Sequence, residues 1–414
     1  MRILYLTFYF EPDLCAGSFR NTALVVELAR QLGTDGSVHV VTTQPNRYQS
    51  FKQAAPAREE SGNVLIDRVA VPTHASGLRD QIWSFITYYR AAHRLTKDGQ
   101  YDMVVASSSR LFTAFLGARL ARKYHAKLFL DIRDLFREMI LEMLQKRGGV
   151  GQLIWFGLTP ILWAVEWYTF RHATHINLVS EGFRTYFSRF GQATYSYFTN
   201  GIDDEFLTIS PSERSVDEPH IRIILYAGNI GEGQGLHKII PQAARQLGEG
   251  YRFVVIGDGG AKHKLQKAVQ KEGVTTVELR PLVNRTALVD AYRKADYLFV
   301  HLNNFDALKR VLPSKLFEYG ATDKPIVAGV VGYAAQFIQE HLPNHILFAP
   351  GDVSNLVEQL RTTPYHTQPR TQFIAQFQRR AIVQVMASQI WQTLMPALKN
   401  PPLDELLAIE STAV

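Results

Sequence analysis

Short, wholly apolar runs recur along the chain, spaced widely enough for a helix between them, and this alternation restricts the fold more than any other property. The first series is ILYL (3–6), VHVV (38–41), MVVA (103–106), KLFL (127–130) and INLV (176–179). The second is IRIILYA (221–227), RFVVI (252–256), VEL (277–279), YLFVHL (297–302), PIVA (325–328) and ILF (346–348). Strands that are apolar throughout, rather than alternating, suit a parallel sheet covered on both faces. Between the first two runs, Ser18 is placed to cap a helix that carries Leu24, Leu28 and Leu32 at helical spacing and stops near Gly33. The polar, proline-containing stretch from Ser210 to Pro219 separates the two series and reads as a linker or surface loop.

Strands alternating with helices imply right-handed crossovers and doubly wound sheets. The expected class is α/β, with two Rossmann-like domains facing across a cleft, over residues 1–200 and 201–370. A chain of 414 residues is long enough for both. The last amphipathic stretch, about 371–398, can pack on either domain. Hydrophobic residues at 46% and charged residues at 20% exclude a disordered or fibrous chain. A net charge of +7 permits contact with phosphates, anionic lipid headgroups or nucleic acid and selects none of them. The single cysteine, Cys15, rules out an intramolecular disulfide and a cysteine zinc cage and fits a reducing compartment. The opening residues lack a signal-peptide pattern, and the apolar run Leu153–Val165 contains Pro160 and is too short to cross a bilayer.

Three turns of the second half carry chemistry. Tyr226-Ala-Gly228-Asn229-Ile-Gly231-Glu-Gly233-Gln-Gly235-Leu leads from a strand through a glycine-rich loop into a helix, an arrangement that suits a pyrophosphate and also occurs in ordinary tight βα loops. Ile256-Gly257-Asp258-Gly259-Gly260 is a second, weaker turn of this type. In Leu312-Pro313-Ser314-Lys315-Leu-Phe-Glu318, Ser314 is a candidate cap and Glu318 lies one turn below it. There it can accept both hydroxyls of a ribose while Lys315 holds phosphate oxygens; a capped surface helix is the alternative. In the first half, Asp131-Ile-Arg133-Asp134 follows a strand directly, where open α/β sheets bind ligands, although such a cluster also forms local ion pairs. The loop Glu11–Arg20 opens a helix and offers another anion-binding turn, in which Cys15 is expected to be only a small residue.

Absences narrow the choice. There is no Asp-x-Asp pair for a metal-held nucleotide, no GxGxxG after the first strand, no P-loop and no HExxH. Asp203-Asp204-Glu205 reads as a polar turn rather than a cation site, and His301 as a packed or capping residue.

With these turns in place the chain resembles the family 4 glycosyltransferases, which have the GT-B fold. The resemblance is carried by AGS (16–18), TTQPNRY (42–48), DIRDLF (131–136), NGIDDEF (200–206), YAGNIGEGQGL (226–236), IGDGG (256–260) and PSKLFEYGATDKPIVAG (313–329). The DIRD and PNRY segments are similar to those of bacterial O-antigen transferases of the N-acetyl-L-fucosamine type. The resemblance implies a donor held mainly by the C-terminal domain, an acceptor held mainly by the N-terminal one, and a last helix that crosses back onto the N-terminal domain. Glu318 matches the second glutamate of the family's E-x7-E motif, whose partner is the nucleotide ribose; at the first position this chain has Arg310. The loop Arg280-Pro281-Leu282 matches the base-contacting segment.

The function implied is a metal-independent transfer of an N-acetylated sugar from a UDP donor to a lipid-linked or saccharide acceptor in bacterial surface polysaccharide synthesis, with no cofactor and no nucleic-acid partner. Main-chain N–H groups at Gly17, Gly231 and Ser314, with Lys315, would stabilise the departing diphosphate, and Asp131, Arg133 and Asp134 would orient or deprotonate the acceptor hydroxyl. A UDP-sugar 2-epimerase of the same architecture and a non-catalytic nucleotide-sugar-binding subunit are the competing readings. The implied location is cytoplasmic. Trp155, Phe156, Leu158, Leu162, Trp163, Trp167 and Tyr168, with Trp83, Phe85, Tyr88, Tyr89, Arg90 and Arg94, are either core or an interface with the anionic inner face of the plasma membrane.

Overall fold

The computed structural model describes residues 1–47, 54–72, 78–108, 110–209 and 221–394. The proposed linker at 210–219 and Tyr48 lie outside the described residues. Both apolar series form sheets. The N-terminal sheet is built from β1 (Arg2–Thr7), β2 (Ser37–Thr43), β3 (Arg58–Ser61), β4 (Val64–Val69), β5 (Met103–Ser108), β6 (Lys127–Ile132), β7 (His175–Leu178) and β8 (Thr194–Ser196), in the order β3-β4-β2-β1-β5-β6-β7-β8. Its pairings are parallel except β3 with β4. The C-terminal sheet is wholly parallel, with β9 (Arg222–Ala227), β10 (Tyr251–Ile256), β11 (Val277–Arg280), β12 (Tyr297–His301), β13 (Ile326–Gly329) and β14 (His345–Phe348) ordered β11-β10-β9-β12-β13-β14. In both sheets the first strand is central and the order reverses beside it, which opens a crevice at the carboxyl ends of the strands.

Apolar side chains of the central strands enter cores on both sheet faces: Leu4 and Leu6 on one side of β1, Ile3 and Tyr5 on the other. This two-sided burial is why the strands lack an alternating pattern. The helix Ala16–Leu32 buries Leu24, Leu28 and Leu32 and ends at Gly33, whose φ of 58° places it in the left-handed region. Its start differs from the expected one. Cys15 holds the N-cap position, its carbonyl accepting from Ser18 and Phe19, and Ser18 is buried inside the first turn.

The stretch after 370 is two helices, Thr371–Phe377 and Arg379–Leu394, broken at Gln378. Gln378 is extended because it bridges to Ile202, with Ile202 N–H donating to Phe377 and Arg379 N–H donating to Ile202. The break aims the second helix onto the N-terminal lobe, where Val383, Met386, Ala387 and Ile390 join the core beside Leu24 and Leu28. Phe373 and Phe377 of the first helix stay in the C-terminal core. Arg379 pairs with Asp203, and Arg285 pairs with the same carboxylate at 2.7 Å, so Asp203 serves this crossover.

The helix Val150–Arg171 carries Pro160 within it, and among the described residues no helix is long and apolar enough to cross a membrane. Leu162 and Tyr88 are buried, and the Tyr88 hydroxyl donates to the Val41 carbonyl, so these two are core residues. Phe156, Trp163 and Trp83 are exposed.

Candidate active site

A cavity of about 470 Å³ lies between the two sheets, walled on one side by Cys15, Gly17, Phe19, Arg47, Arg133 and Asp134 and on the other by Gly228, Asn229, Leu282, Arg285, Ser314, Lys315 and Glu318. Its N-terminal wall begins at the first turn of the Ala16–Leu32 helix, a positive dipole end. Gly17 leaves room there for Arg133: a Cβ would fall 2.1 Å from a guanidinium nitrogen, so the arginine packs on the helix start and would have to shift for any side chain at 17. Arg133 and Asp134 follow β6 directly, and the Arg133 N–H donates to Ser108 at the end of β5. Asp134 lines the cavity and is exposed there; the protein packed around its carboxyl desolvates it and pushes its pKa up to about 6 against the pull of Arg133 and Arg47.

Asp131 does not join them. It is fully buried on β6, where it receives Arg20 at 3.1 Å, Ser107 at 2.8 Å and Asn177 at 2.7 Å. Burial raises its pKa, but the Arg20 guanidinium and these donors outweigh it and hold the carboxyl below the usual range. The end of β6 at Ile132 explains the difference: Asp131 is still on the strand, paired with Arg20 of the Ala16–Leu32 helix, while Arg133 and Asp134 lie past the strand's end. A catalytic role for Asp131 is corrected to a structural one.

The C-terminal wall is layered. Gly228 carries Lys315 above it: a Cβ there would sit 1.9 Å from the Lys315 Nζ. Burial lowers the Lys315 pKa, opposed by Glu318. Glu318 accepts from the Tyr292 hydroxyl at 2.6 Å; desolvation raises its pKa, and Lys315 and Tyr292 moderate the rise. Ser314 occupies the N-cap position of the short helix Lys315–Gly320 but makes no capping bond, because its own backbone is already helical.

Several sequence candidates sit behind the wall. Gly257 and Asp258 support the glycine loop without lining the cavity: a Cβ on Gly257 would meet the Gly228 oxygen at 1.9 Å, and the Asp258 carbonyl accepts from Ile230 N–H. The Gly231 N–H is donated to Gln234 Oε1, so it is not offered to a ligand. Asn229 Nδ2 donates to the same oxygen. Arg280 lies on the edge strand β11 and pairs with Glu278 at 2.7 Å; Leu282, two residues on, reaches the cavity. Arg310 does not line the cavity either. It pairs with Glu138 of the opposite lobe at 2.6 Å.

Sequence reasoning missed Arg285, Phe19 and Arg47. The Arg285 guanidinium stacks over Phe19 of the other lobe at 4.0 Å. Arg47 stands over the Tyr9 ring at 5.6 Å, on a loop held by Asp13, whose Oδ1 accepts from Asn46 and Arg47 N–H. The PNRY segment marked that loop, but not that Arg47 turns inward. His301 closes the support: Gly351 N–H donates to its Nε2, so Nδ1 carries the proton donated to the Gln234 carbonyl at 2.6 Å, and burial lowers its pKa to about 4.

The two lobes are each found in known proteins. Residues 22–197 match the family described as Glycosyl transferase 4-like domain, and residues 212–377 match Glycosyl transferases group 1. Each lobe is thus similar to a family of glycosyltransferase domains, and the fold the two build together is the two-lobed GT-B arrangement. Over 95 residues it is 40% identical to WcaI of Escherichia coli (strain K12), named for colanic acid biosynthesis as a glycosyl transferase; the match spans 23% of each chain. In fold it is similar to Anabaena HepE, solved in complex with UDP-glucose (TM-score 0.59, 15% identity, 94% of this chain and 95% of that one). It is also similar to WaaG, described as a glycosyltransferase involved in lipopolysaccharide biosynthesis (TM-score 0.61, 15% identity, 95% and 98%).

Proposed function

We propose that the chain is a glycosyltransferase that moves a sugar from a UDP-sugar donor to a saccharide or lipid-linked acceptor in bacterial surface polysaccharide synthesis, working in the cytoplasm. The observation that carries this reading is the convergence of Lys315, Gly228 and Glu318 on one wall with Arg133, Arg47 and the 16–32 helix start on the other. Cations and a helix N-terminus facing each other across a cavity suit a diphosphate, which gains negative charge as its sugar departs. Glu318 would take the ribose hydroxyls, and the apolar edge at Leu282 and Val283 would take the base. Asp134, with its pKa near 6, is basic enough to accept the proton of an acceptor hydroxyl. The UDP preference is supported by HepE, which is solved with UDP-glucose. An N-acetylated sugar is proposed from the DIRD and PNRY segments.

Calorimetric titration with UDP, GDP and ADP tests the donor site. UDP is expected to bind, and Glu318→Ala to weaken it about tenfold or more, as loss of charged hydrogen bonds requires. Unchanged UDP affinity in that variant would remove the ribose role.

A further inference from the structure

A second cavity, of about 430 Å³, opens beside the first in the N-terminal lobe. Its wall is almost entirely apolar, built from the helix Leu78–Leu95 (Phe85, Ile86, Tyr89) and the helix Leu111–Tyr124 (Phe112, Phe115). The Phe112 ring lies 5.1 Å from Phe85 and 5.9 Å from Phe136, giving a continuous aromatic floor. Phe136 and Arg110 also line the donor cavity, so the two spaces share a wall.

Arg110 stands at this junction. Its guanidinium lies 4.3 Å from the Phe8 ring centre, and Nη2 donates to the Tyr9 hydroxyl at 2.8 Å. Its Nη1 is buried and has no hydrogen-bond partner among the described residues. A buried, unused guanidinium donor calls for an acceptor. A second cation, Arg90, is exposed on the rim, beside exposed Ile82 and Trp83.

We propose that this groove binds the hydrocarbon chain of the acceptor, a lipid with a phosphate head that carries the saccharide to be extended. The chain lies on the aromatic floor, the phosphate meets Arg90 and Arg110, and the saccharide reaches past Phe136 to Asp134. The inference rests on the transferase reading and adds to it the class of acceptor. Aliphatic chain in an apolar groove contributes by the area it removes from water, so affinity must rise with chain length. Arg90 and Arg110, both in the groove's lining, offer guanidinium donors to a phosphate head, which an uncharged hydrocarbon would not need.

The test is binding of farnesyl diphosphate, geranyl diphosphate and inorganic diphosphate to the full chain, with and without saturating UDP. The longer prenyl chain is expected to bind about tenfold or more tighter than the shorter one, and inorganic diphosphate more weakly still, with UDP present. Ile82→Asp and Arg90→Glu, both at exposed rim positions, should each weaken farnesyl diphosphate about fivefold or more without moving the thermal midpoint. Affinity independent of chain length would overturn the proposal, as would displacement of the probe by UDP, which would place its diphosphate in the donor cavity. Flotation with phosphatidylglycerol vesicles that is lost in Ile82→Asp, with no prenyl diphosphate binding, would show a bilayer contact instead and also overturn it. UDP binding without prenyl binding sinks the groove alone; prenyl binding without UDP binding sinks the donor reading alone.

Discussion

Arg310 and Glu138 meet at 2.6 Å across the two lobes, one from the segment before the helix Lys315–Gly320 and the other from the helix Phe136–Arg147. The Arg310 carbonyl also accepts from the Ser180 hydroxyl, and a Cβ on Gly182 would fall 2.6 Å from that oxygen. Arginine at this position is therefore tied to the lobe interface. Both partners are partly exposed, so the pair is worth about 1 kcal/mol or less. Arg310→Glu is expected to lower stability by about that amount or somewhat more, because it sets two carboxylates side by side. Adding Glu138→Arg should recover most of the loss in a double-mutant cycle followed by urea unfolding. No recovery would show that the two side chains are not coupled.

Asp131 separates a stability phenotype from a catalytic one. It neutralises Arg20, which is itself buried and donates to the Phe198 and Thr199 carbonyls and contacts Met386 of the returning helix. Asp131→Ala leaves that guanidinium enclosed without its counter-charge, and the expected cost is about 3–5 kcal/mol. Soluble yield and the chemical-denaturation midpoint should both fall. Asp134→Ala should instead leave the midpoint nearly unchanged and remove transfer activity. A normal denaturation midpoint in Asp131→Ala would contradict the assignment.

The acid limb of the activity profile is the readout for Asp134. If its carboxylate takes the acceptor proton, activity requires the ionised form and falls as pH drops through about 6. Arg133 and Arg47 both lower this pKa against the larger effect of desolvation. Arg133→Gln removes one positive neighbour, so the limb must move to higher pH. The same group has a stability signature of opposite direction. A carboxyl whose folded pKa is raised binds more protons folded than unfolded, so its contribution is favourable at low pH and is lost as pH climbs from about 4 to about 6. A limb that stays in place in Arg133→Gln would exclude Asp134 as the titrating group.

The central strands, the crossover helices and the lobe division were legible because burial of parallel strands on both faces leaves an apolar signature; β3, β4 and β8 were not read, because β3 and β8 are exposed or half-buried edge strands and β4 carries Asp67 and Arg68. The cavity residues Gly228, Arg133 and Asp134 were legible for a related reason, since each lies just past a strand's end, while Lys315 and Glu318 were legible from the Pro313-Ser314 helix start. Direction was not legible. Asp131 and Asp134 are three residues apart in one motif, yet only the second lines the cleft, and the end of β6 at Ile132 that separates them has no sequence mark. Nor could sequence pair Arg285 with Phe19 or Arg310 with Glu138, since those contacts exist only once two lobes are docked. The break at Gln378 was hidden because it is imposed by the bridge to Ile202, not by a proline or glycine.

Gly257 gives the last test, because it separates support of the donor wall from contact with the donor. Its φ of 152° is a conformation that side chains rarely adopt, and a Cβ would stand 1.9 Å from the Gly228 carbonyl oxygen, which is backbone and has no rotamer to escape into. Gly257→Ala must therefore push the 228–231 loop away, breaking the Gly228 N–H bond to Ile256 or the Ile230 bond to Asp258. A loss of about 2 kcal/mol or more in stability is expected, together with weaker UDP binding. Gly228→Ala shares the backbone strain, since its φ is 135°, but the atom in the way of its Cβ is the end of the Lys315 side chain rather than backbone. That variant should keep more of its stability while losing UDP affinity, as the ammonium leaves its place over the loop. Thermal shift and calorimetry on the two proteins give the comparison. Equal destabilisation by both would mean that Lys315 is locked in place rather than free to yield.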